Sequence, residues 1–287
     1  MTRIAPFLLL SSCAGASVQS PVSATGASVQ RQVGPTRITA LRTGFVQVRP
    51  THRELSGWEW SRTAKIVLES EWSEWMPIWV YLVEHPTRTI LVDTGLGPNH
   101  QGGLGSDAGT RWFYRENLRF VLPEDEQLAS HLERHSVAPD SVDTVVLTHL
   151  HGDHTGNLHL FPSAEIITGA GNWPGHPGAV VDRHLSPTLI PDGPAGPGPA
   201  LTSDDAVRIF RLPGHTPGHL GLSVTAGDER WLICGDATFN EDQTQRGAVS
   251  GISSSIEDAK TTQHFLGTLR DRLLPAHDPK IVERIKQ

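Results

Sequence analysis

The chain has 287 residues, a net charge of −7 and a pI of about 6.1. This length allows a substantial hydrophobic core, and the absence of a basic stripe excludes nucleic acid as an expected partner. The 28 glycines and 21 prolines indicate many turns rather than a helical bundle. No apolar run reaches the roughly 18 residues that a membrane span requires.

The N-terminal segment resembles an export leader. Arg3 supplies positive charge before a short apolar stretch, and Leu10–Cys13 (LSSC) is similar to a lipoprotein signal in which the cysteine is lipidated. A short leader with a chance cysteine is the alternative. We predict that residues 1–35 are leader and flexible tether and that residues 36–287 form the folded domain. The protein is expected to be exported to the periplasm, with a candidate lipid anchor at Cys13.

Apolar patterning gives the predicted elements in chain order. Strands are predicted at residues 38–48, 77–84, 89–92, 142–147, 164–168, 206–212, 220–225 and 230–233. Helices are predicted at residues 124–135 and from a capping box at Ser255 to about residue 273. The Pro- and Gly-rich residues 173–199 predict a surface loop. Helices and strands mix without strict βαβ alternation, which indicates one domain of the α/β or α+β class.

A tryptophan-rich stretch lies between residues 51 and 79. Its members are Trp58, Trp60, Trp72, Trp75 and Trp79. One interpretation is core packing together with amphipathic surface positions. The other is an apolar wall over the mouth of a site, which predicts a small-molecule partner with an apolar group such as an acyl chain.

The segment Thr148–His154 (THLHGDH) has the composition of a metal site. It places three histidines and one aspartate directly after a predicted buried strand. Imidazole suits zinc, and a carboxylate can complete the ligand shell. The sequence therefore predicts a metal site at one edge of a sheet. Asp93, at the end of another predicted strand, is either a turn former or a support for one of the ligands.

The segment THLHGDH is one of five motifs that together resemble the metallo-β-lactamase fold superfamily. The other four are Asp93-Thr94-Gly95, Gly214-His215, Gly235-Asp236 and Ala276-His277. The resemblance spans roughly residue 38 to the C-terminus. It implies an α+β fold with α/β-type layers: a four-layer αβ/βα sandwich of two mixed sheets flanked by helices. It also implies two divalent metal ions between the sheets, with zinc as the default.

The resemblance also implies roles for individual residues. His149, His151 and His215 would hold the first metal, Asp153, His154 and His277 the second, and Asp236 both. His219 matches a position outside the metal shell and is interpreted either as structural or as a support for the metal ligands. A hydroxide between the ions would attack a carbonyl carbon. Asp153 would act as the catalytic acid or base toward the leaving group.

Two segments narrow the choice of substrate. Residues 77–86 (PIWVYLVEHP) and 90–97 (ILVDTGLG) look similar to N-acyl homoserine lactonases, which open the lactone ring of bacterial signal molecules. Asp236 argues against β-lactam hydrolysis, because true β-lactamases of this fold generally lack the bridging aspartate. One departure stands out: these lactonases usually carry a tyrosine three residues after that aspartate, and here the position is Phe239.

Two alternatives to the lactonase stay open. One is a thioesterase of the glyoxalase II type or another esterase, with Arg111, Arg115 and Arg119 as candidate contacts for glutathione. The other is a metal-binding module without turnover, which the complete set of seven ligand positions disfavours. The sequence leaves the oligomeric state open, with a homodimer as one option.

Overall fold

The computed structural model describes residues 28–98, 108–175 and 185–287. The export leader and Cys13 lie outside these ranges, so export and lipidation stay predictions. Within the described ranges, each helix is too short or too polar to cross a bilayer.

Two sheets and eight α-helices make up the described chain. The strands are Ser28–Val33 (β1), Thr36–Val48 (β2), Met76–His85 (β3), Arg88–Val92 (β4), Leu118–Val121 (β5), Thr144–Val146 (β6), Glu165–Gly169 (β7), Thr188–Ile190 (β8), Gly196–Ala200 (β9), Val207–Arg211 (β10), Leu220–Ala226 (β11), Glu229–Gly235 (β12) and Arg272–Pro275 (β13). The α-helices are Pro50–Arg53 (α1), Arg62–Leu68 (α2), Ala108–Asn117 (α3), Leu128–Arg134 (α4), Gly152–Thr155 (α5), Glu241–Arg246 (α6), Ile256–Thr268 (α7) and Ile281–Lys286 (α8).

Both sheets mix parallel and antiparallel strands. The first has the order β1-β2-β3-β4-β6-β7-β8, and β5 pairs with the second half of β2. Strands β4, β6, β7 and β8 run parallel. The second sheet has the order β13-β12-β11-β10-β9. In it, β13 is parallel to β12, and two antiparallel pairings make β10 run the same way as β12.

Strand β3 shows how the first sheet is buried on both faces. Trp79, Tyr81 and Val83 belong to the large core cluster between the sheets. Val80 and Leu82 belong to a separate cluster on the opposite face. Successive residues of a strand point to opposite faces, so an uninterrupted apolar run is what a strand buried on both sides requires.

Helices cover the outer faces of the two sheets. Leu128 and Leu132 of α4 pack in the same cluster as Leu82 of the first sheet. Leu266 of α7 packs with Phe210 of the second sheet. The order helix, sheet, sheet, helix is the predicted four-layer sandwich, and the predicted fold class is confirmed.

The folded region begins earlier than predicted. Residues 28–33 were expected to belong to the flexible tether, and for these six residues the prediction is wrong. They form β1, which pairs with β2, and Val29 and Val33 are buried. The polar residues between the two valines conceal the strand, because an edge strand needs only one apolar face.

The predicted loop over residues 173–199 is also wrong in part. It contains β8 and β9, each the last strand of its sheet. Strand β9 has the sequence GPGPA, and an edge strand tolerates proline because one side of it needs no ladder hydrogen bonds. Residues 176–184 of the loop lie outside the described ranges.

The two predicted helices are shorter in the structure. A 3₁₀ turn at Glu124–Glu126 precedes α4. The Ser255 side chain accepts a hydrogen bond from the Asp258 backbone N–H, which confirms the cap of α7. That helix ends at Thr268, so Leu273 reaches the core from β13 instead.

Candidate metal centre

The structure brings all seven predicted metal ligands to one edge of the two sheets. They are His149, His151, Asp153 and His154 after β6, His215 after β10, Asp236 after β12 and His277 after β13. The strands β10, β12 and β13 run in the same direction. Their carboxyl ends therefore present side chains at a common edge, where open sheets usually hold their ligands.

Three histidine rings form the first cluster of donor atoms. His149 Nε2 lies 2.8 Å from His151 Nδ1, and His215 Nε2 lies 3.2 Å from the same atom. The three donor nitrogens all fall within 4.8 Å of one another. Imidazole nitrogens converge in this way on a shared cation or a shared proton, because lone pairs alone repel.

The second cluster combines histidines with carboxylates. Asp236 Oδ1 lies 3.4 Å from His154 Nε2 and 3.2 Å from His277 Nε2. Asp153 Oδ2 lies 3.7 Å from His277 Nε2. The other oxygen of Asp236, Oδ2, lies 3.6 Å from His215 Nε2 of the first cluster. Asp236 thus faces both clusters with one oxygen each.

The polar atoms of the second cluster fit a cation. His154 Nε2 and Asp236 Oδ1 are buried and make no hydrogen bond with the described residues, although buried polar atoms usually have partners. Burial opposes ionisation of Asp236, but the His277 and His154 rings outweigh it and hold the pKa of that carboxyl well below its usual value. Imidazole and carboxylate donors are the ligands that zinc and related divalent ions take.

Charge balance in the cluster points the same way. Burial lowers the pKa of His154, but Asp236, Asp93 and Asp153 outweigh it and raise that pKa to about 10. Burial and the neighbouring rings hold the pKa of His149 well below its usual value. The carboxylates of the centre therefore call for positive charge, and a divalent ion supplies it without protonating the ligands.

Asp93 holds one of the candidate ligands, His154, in place. Its Oδ2 lies 2.8 Å from His154 Nδ1, and its Oδ1 accepts a 2.8 Å hydrogen bond from the Thr148 backbone N–H. Asp93 has a positive φ of 63°, a conformation that aspartate and asparagine tolerate better than most residues. Asp93 thus makes the contact with His154 that a support for this candidate ligand requires, and the contact directs His154 Nε2 toward the cluster.

Further contacts orient the remaining ligands. The backbone N–H of Asp236 donates to His219 Nε2 at 3.2 Å, so His219 supports the ligand set from outside it. His277 Nδ1 lies 2.9 Å from the Pro77 carbonyl oxygen. Gly235 has a positive φ, and a Cβ there would lie 2.8 Å from Thr148 Oγ1. The turn that places Asp236 therefore depends on glycine.

A small cavity, partly open to solvent, lies beside the two clusters. The residues that line it are Val46, Val48, His52, Met76, Tyr114, Leu118, His151, Asp153, Asp236, Phe239, Ile252 and His277. Phe239 contacts His277 edge-on, with ring centroids 5.3 Å apart. Aliphatic residues from β2, β3 and β5 form one wall, which we call the apolar wall: Val46, Val48, Met76 and Leu118.

None of the five clustered tryptophans lines the described part of this cavity. Trp79 is buried in the core, whereas Trp58 and Trp60 are 74% and 84% exposed. Trp72 lies between two guanidinium groups, those of Arg49 and Arg119, at 3.8 Å and 3.9 Å. The interpretation as core and surface residues is confirmed, and the predicted tryptophan wall is wrong.

Two residues at the cavity were not predicted as site residues. His52 of α1 is 4% exposed and stacks on Phe113, with ring centroids 6.4 Å apart. Burial, followed by the influence of His215, lowers the pKa of His52 to about 3. Tyr114 of α3 contacts His151 edge-on at 6.4 Å. Burial raises the pKa of Tyr114, and the Asp153 and Asp236 carboxylates raise it further.

A protein-family model matches most of the chain. The model described as the metallo-beta-lactamase superfamily matches residues 73–277. The probable metallo-hydrolase Rv2300c of Mycobacterium tuberculosis is 32% identical over 191 residues, which are 60% of this chain and 58% of the relative. An N-acyl homoserine lactonase of a Bacillus species is 27% identical over 177 residues, 58% of this chain and 66% of the relative. The matched parts thus span less than two thirds of these relatives.

Solved structures share the architecture. An AiiA variant of Bacillus thuringiensis with N-decanoyl-L-homoserine bound at its active site has a TM-score of 0.69 at 20% identity, covering 85% of this chain and 93% of that one. AidC, a dizinc quorum-quenching lactonase in complex with its product, has a TM-score of 0.58 at 17% identity, covering 88% and 91%. Together with the match over residues 73–277, this similarity of fold shows that the chain belongs to the metallo-β-lactamase superfamily.

Proposed function

We propose that the chain is a dinuclear metal-dependent hydrolase that opens the ring of N-acyl homoserine lactones. One observation carries this proposal: Asp236 faces two clusters of donor atoms, one with each carboxylate oxygen, at the end of an apolar cavity. The relatives named as N-acyl homoserine lactonases support the choice of substrate.

The distances between donor atoms suggest how the ligands divide. His149, His151 and His215 would hold one ion, Asp153, His154 and His277 the other, and Asp236 would contact both. Two divalent ions, zinc by default, would lower the pKa of a water molecule to near neutrality and polarise a substrate carbonyl. Burial of the centre would strengthen these effects, because a low dielectric weakens screening.

Asp153 is the candidate catalytic residue. It is 7% exposed, lines the cavity, and carries two oxygens of which one lies 3.7 Å from His277 Nε2. One oxygen would remain available when the other serves as a ligand. That oxygen would pass a proton to the alcohol oxygen that leaves the ester carbonyl when the ring opens.

The apolar wall fits an acyl chain. Val46, Val48, Met76 and Leu118 bring only aliphatic and thioether surface to the cavity, and burying such surface stabilises a bound chain by about 0.8 kcal/mol per methylene group. Among the described lining residues, the charged side chains all belong to the proposed ligand set. An uncharged ring with an apolar tail suits this surface. The predicted export leader would place such an enzyme outside the cytoplasm.

The three arginines that were candidate contacts for glutathione do not support the alternative of a glutathione thioesterase. Arg119 lies on Trp72, and Arg115, whose side chain is 73% exposed, pairs with Glu116. Neither these nor Arg111 line the described part of the cavity. A carboxylate-rich ligand such as glutathione requires basic contacts. The seven positions that would hold metal are all occupied by donor residues, which argues against a module without turnover.

Proton release measured on a pH-stat tests the proposed function. Metal-loaded protein would receive N-acyl homoserine lactones of several chain lengths and, separately, a glutathione thioester. We expect rapid acid release from the lactones, lost in His151→Ala and in Asp153→Ala. Silence on every lactone with two ions bound would contradict the proposal, and turnover of the thioester in that case would establish the alternative.

A further inference from the structure

The cavity contains two polar side chains that the proposed metal centre does not use. When the ligands His151, Asp153, Asp236 and His277 are set aside, the other lining residues are apolar except for His52 and Tyr114. A polar group on an otherwise apolar wall fixes the orientation of a ligand. The donor and acceptor atoms of these two side chains therefore indicate which hydrogen-bonding group the substrate carries next to its reacting carbonyl.

The His52 backbone is anchored by hydrogen bonds, whereas its ring makes none with the residues that the structure describes. Its backbone carbonyl accepts hydrogen bonds from the Ser250 hydroxyl at 2.7 Å and from the Gly251 N–H at 3.1 Å. Its ring stacks on Phe113. Yet Nδ1 is buried without a hydrogen-bond partner among the described residues. A buried unsatisfied nitrogen costs free energy, and a bound ligand group would satisfy it.

Tyr114 lies next to Phe113 on α3 and completes the pair. Its ring packs edge-on against Phe113 and against His151, both at 6.4 Å between centroids. Its hydroxyl makes no hydrogen bond with the described residues, although the side chain lines the cavity. The sequence His52, Phe113, Tyr114 and His151 is thus a continuous row of ring contacts that ends at the metal centre.

The two side chains match the hydrogen-bonding groups of an amide. An uncharged imidazole has one donor and one acceptor nitrogen, and a phenol hydroxyl donates one hydrogen bond. A secondary amide has one N–H donor and one carbonyl acceptor. A carboxylate or an ammonium group fits less well, because neither residue offers a compensating charge and a buried unpaired charge is costly.

We propose that His52 and Tyr114 form a subsite for a neutral amide adjacent to the ester carbonyl that the enzyme attacks. Tyr114 donates to the amide oxygen, and His52 accepts from the amide N–H. The inference rests on the proposed lactonase function and deepens it. In this proposal, the side chains from α1 and α3 distinguish N-acylated lactones from plain lactones. The apolar wall determines which acyl tail the enzyme prefers.

The test compares two lactones with His52→Phe and Tyr114→Phe variants. N-hexanoyl homoserine lactone carries the amide, and a γ-alkyl lactone with a tail of similar length does not. Each variant keeps an aromatic ring, so the row of ring contacts is preserved. Loss of one hydrogen bond should lower kcat/KM about tenfold on the amide substrate, mainly through KM, and leave the plain lactone within about twofold. Trp112→Phe is the matched control, since Trp112 lies on α3 and is 45% exposed.

Three outcomes would overturn the subsite. The first is an equal loss of kcat/KM on both lactones, and the second is no loss on either. The third is a defect of His52→Phe in metal content or circular dichroism that His52→Gln repairs, while the preference for the amide substrate stays lost. If the wild-type enzyme hydrolyses neither lactone, the proposed function fails separately. Calorimetric titration with N-hexanoyl homoserine lactone then still tests the amide subsite. Equal affinity of the wild-type protein and both variants would refute the subsite, and weaker binding by the variants alone would support it.

Discussion

Replacing Asp93 by asparagine tests what the Asp93 carboxylate contributes to the metal centre. Asparagine has nearly the same shape and tolerates the positive φ of this position. Its carbonyl oxygen can still accept from the Thr148 backbone N–H, which binds Oδ1 in the native protein. The amide nitrogen then faces His154 Nδ1, where a carboxylate oxygen lies at 2.8 Å.

The expected effect is a loss of metal affinity at one of two sites. An amide N–H facing Nδ1 favours the tautomer of His154 that carries its proton on Nε2, the atom directed at the cluster. Substitutions of this kind typically cost about 10- to 100-fold in metal affinity. The Asp93 oxygens contact Thr148 and His154, and Thr148 Oγ1 in turn lies 3.1 Å from His149 Nδ1 of the first cluster. Because this link to the first cluster is indirect, the metal affinity of that cluster should fall less, by about threefold at most.

Competition with a chromophoric chelator measures both sites in one titration. Wild-type protein should release two ions at comparable chelator concentrations, and Asp93→Asn should release one of them far earlier. Asp143→Asn is the matched control, because Asp143 is an exposed aspartate before β6 whose Oδ2 accepts from the Thr89 N–H at 2.7 Å. If Asp93→Asn retains both ions with wild-type affinity, the assignment of His154 as a ligand held by Asp93 is refuted.

Three further predictions concern stability. Glu126→Ala removes the carboxylate that accepts hydrogen bonds from two nitrogens of the buried Arg42 guanidinium, at 2.6 and 3.0 Å, and should lower the free energy of unfolding in urea by about 3 kcal/mol. Burial lowers the pKa of His131 from 6.5 to about 4. The unfolded state therefore binds a proton more readily than the folded state between these two pKa values. The free energy of unfolding should be unaffected by this histidine above about pH 6.5 and should fall by up to about 3 kcal/mol as the pH drops toward 4, and His131→Gln should reduce that fall. Gly235→Ala, with a Cβ 2.8 Å from Thr148 Oγ1, should lower the melting temperature by several degrees, equivalent to about 1–3 kcal/mol.

Two of these predictions have a control within the chain. Glu229→Ala breaks a partly exposed pair with Arg31 and should cost less than about 1 kcal/mol. Gly247→Ala adds a Cβ in open space at a similar φ of 64°, so the difference between it and Gly235→Ala measures the contact with Thr148. A cost for Glu126→Ala no larger than that for Glu229→Ala would contradict the account of the buried pair.

The central part of the fold was predictable because local pattern and tertiary role agree there. Strands β3 and β4 are continuous apolar runs that are buried on both faces. The motif THLHGDH follows the buried strand β6, and the remaining motifs also follow strands. When chemistry is concentrated at strand ends, the order of motifs along the chain carries most of the information about the site.

The elements that were missed depend on contacts between distant parts of the chain. Strand β1 has a polar sequence and becomes a strand only because β2 lies beside it. The ring of His52 reaches the cavity from a four-residue helix whose local sequence gives no sign of a site. Tyr114 reaches the cavity from α3, and its contact with His151 joins residues of different elements.

At position 239 the chain has phenylalanine where the similar lactonases usually have tyrosine, and the sequence alone does not show which other residue brings a hydroxyl to the cavity. The position lies in the cavity, against His215 and His277, and is 3% exposed. A phenylalanine there offers no hydroxyl. Among the described lining residues, Tyr114 is the one that carries a hydroxyl, and it lies on a different element of the same cavity. Only the spatial arrangement connects these two positions.

Elemental analysis of metal bound to purified protein tests the central claim most directly. We expect close to two divalent ions per chain after exchange into metal-free buffer, falling to about one in Asp93→Asn. We also expect that lactone hydrolysis follows metal content as a chelator removes the ions and as they are restored. Folded, metal-free protein that hydrolyses the lactone at the full rate would contradict the account.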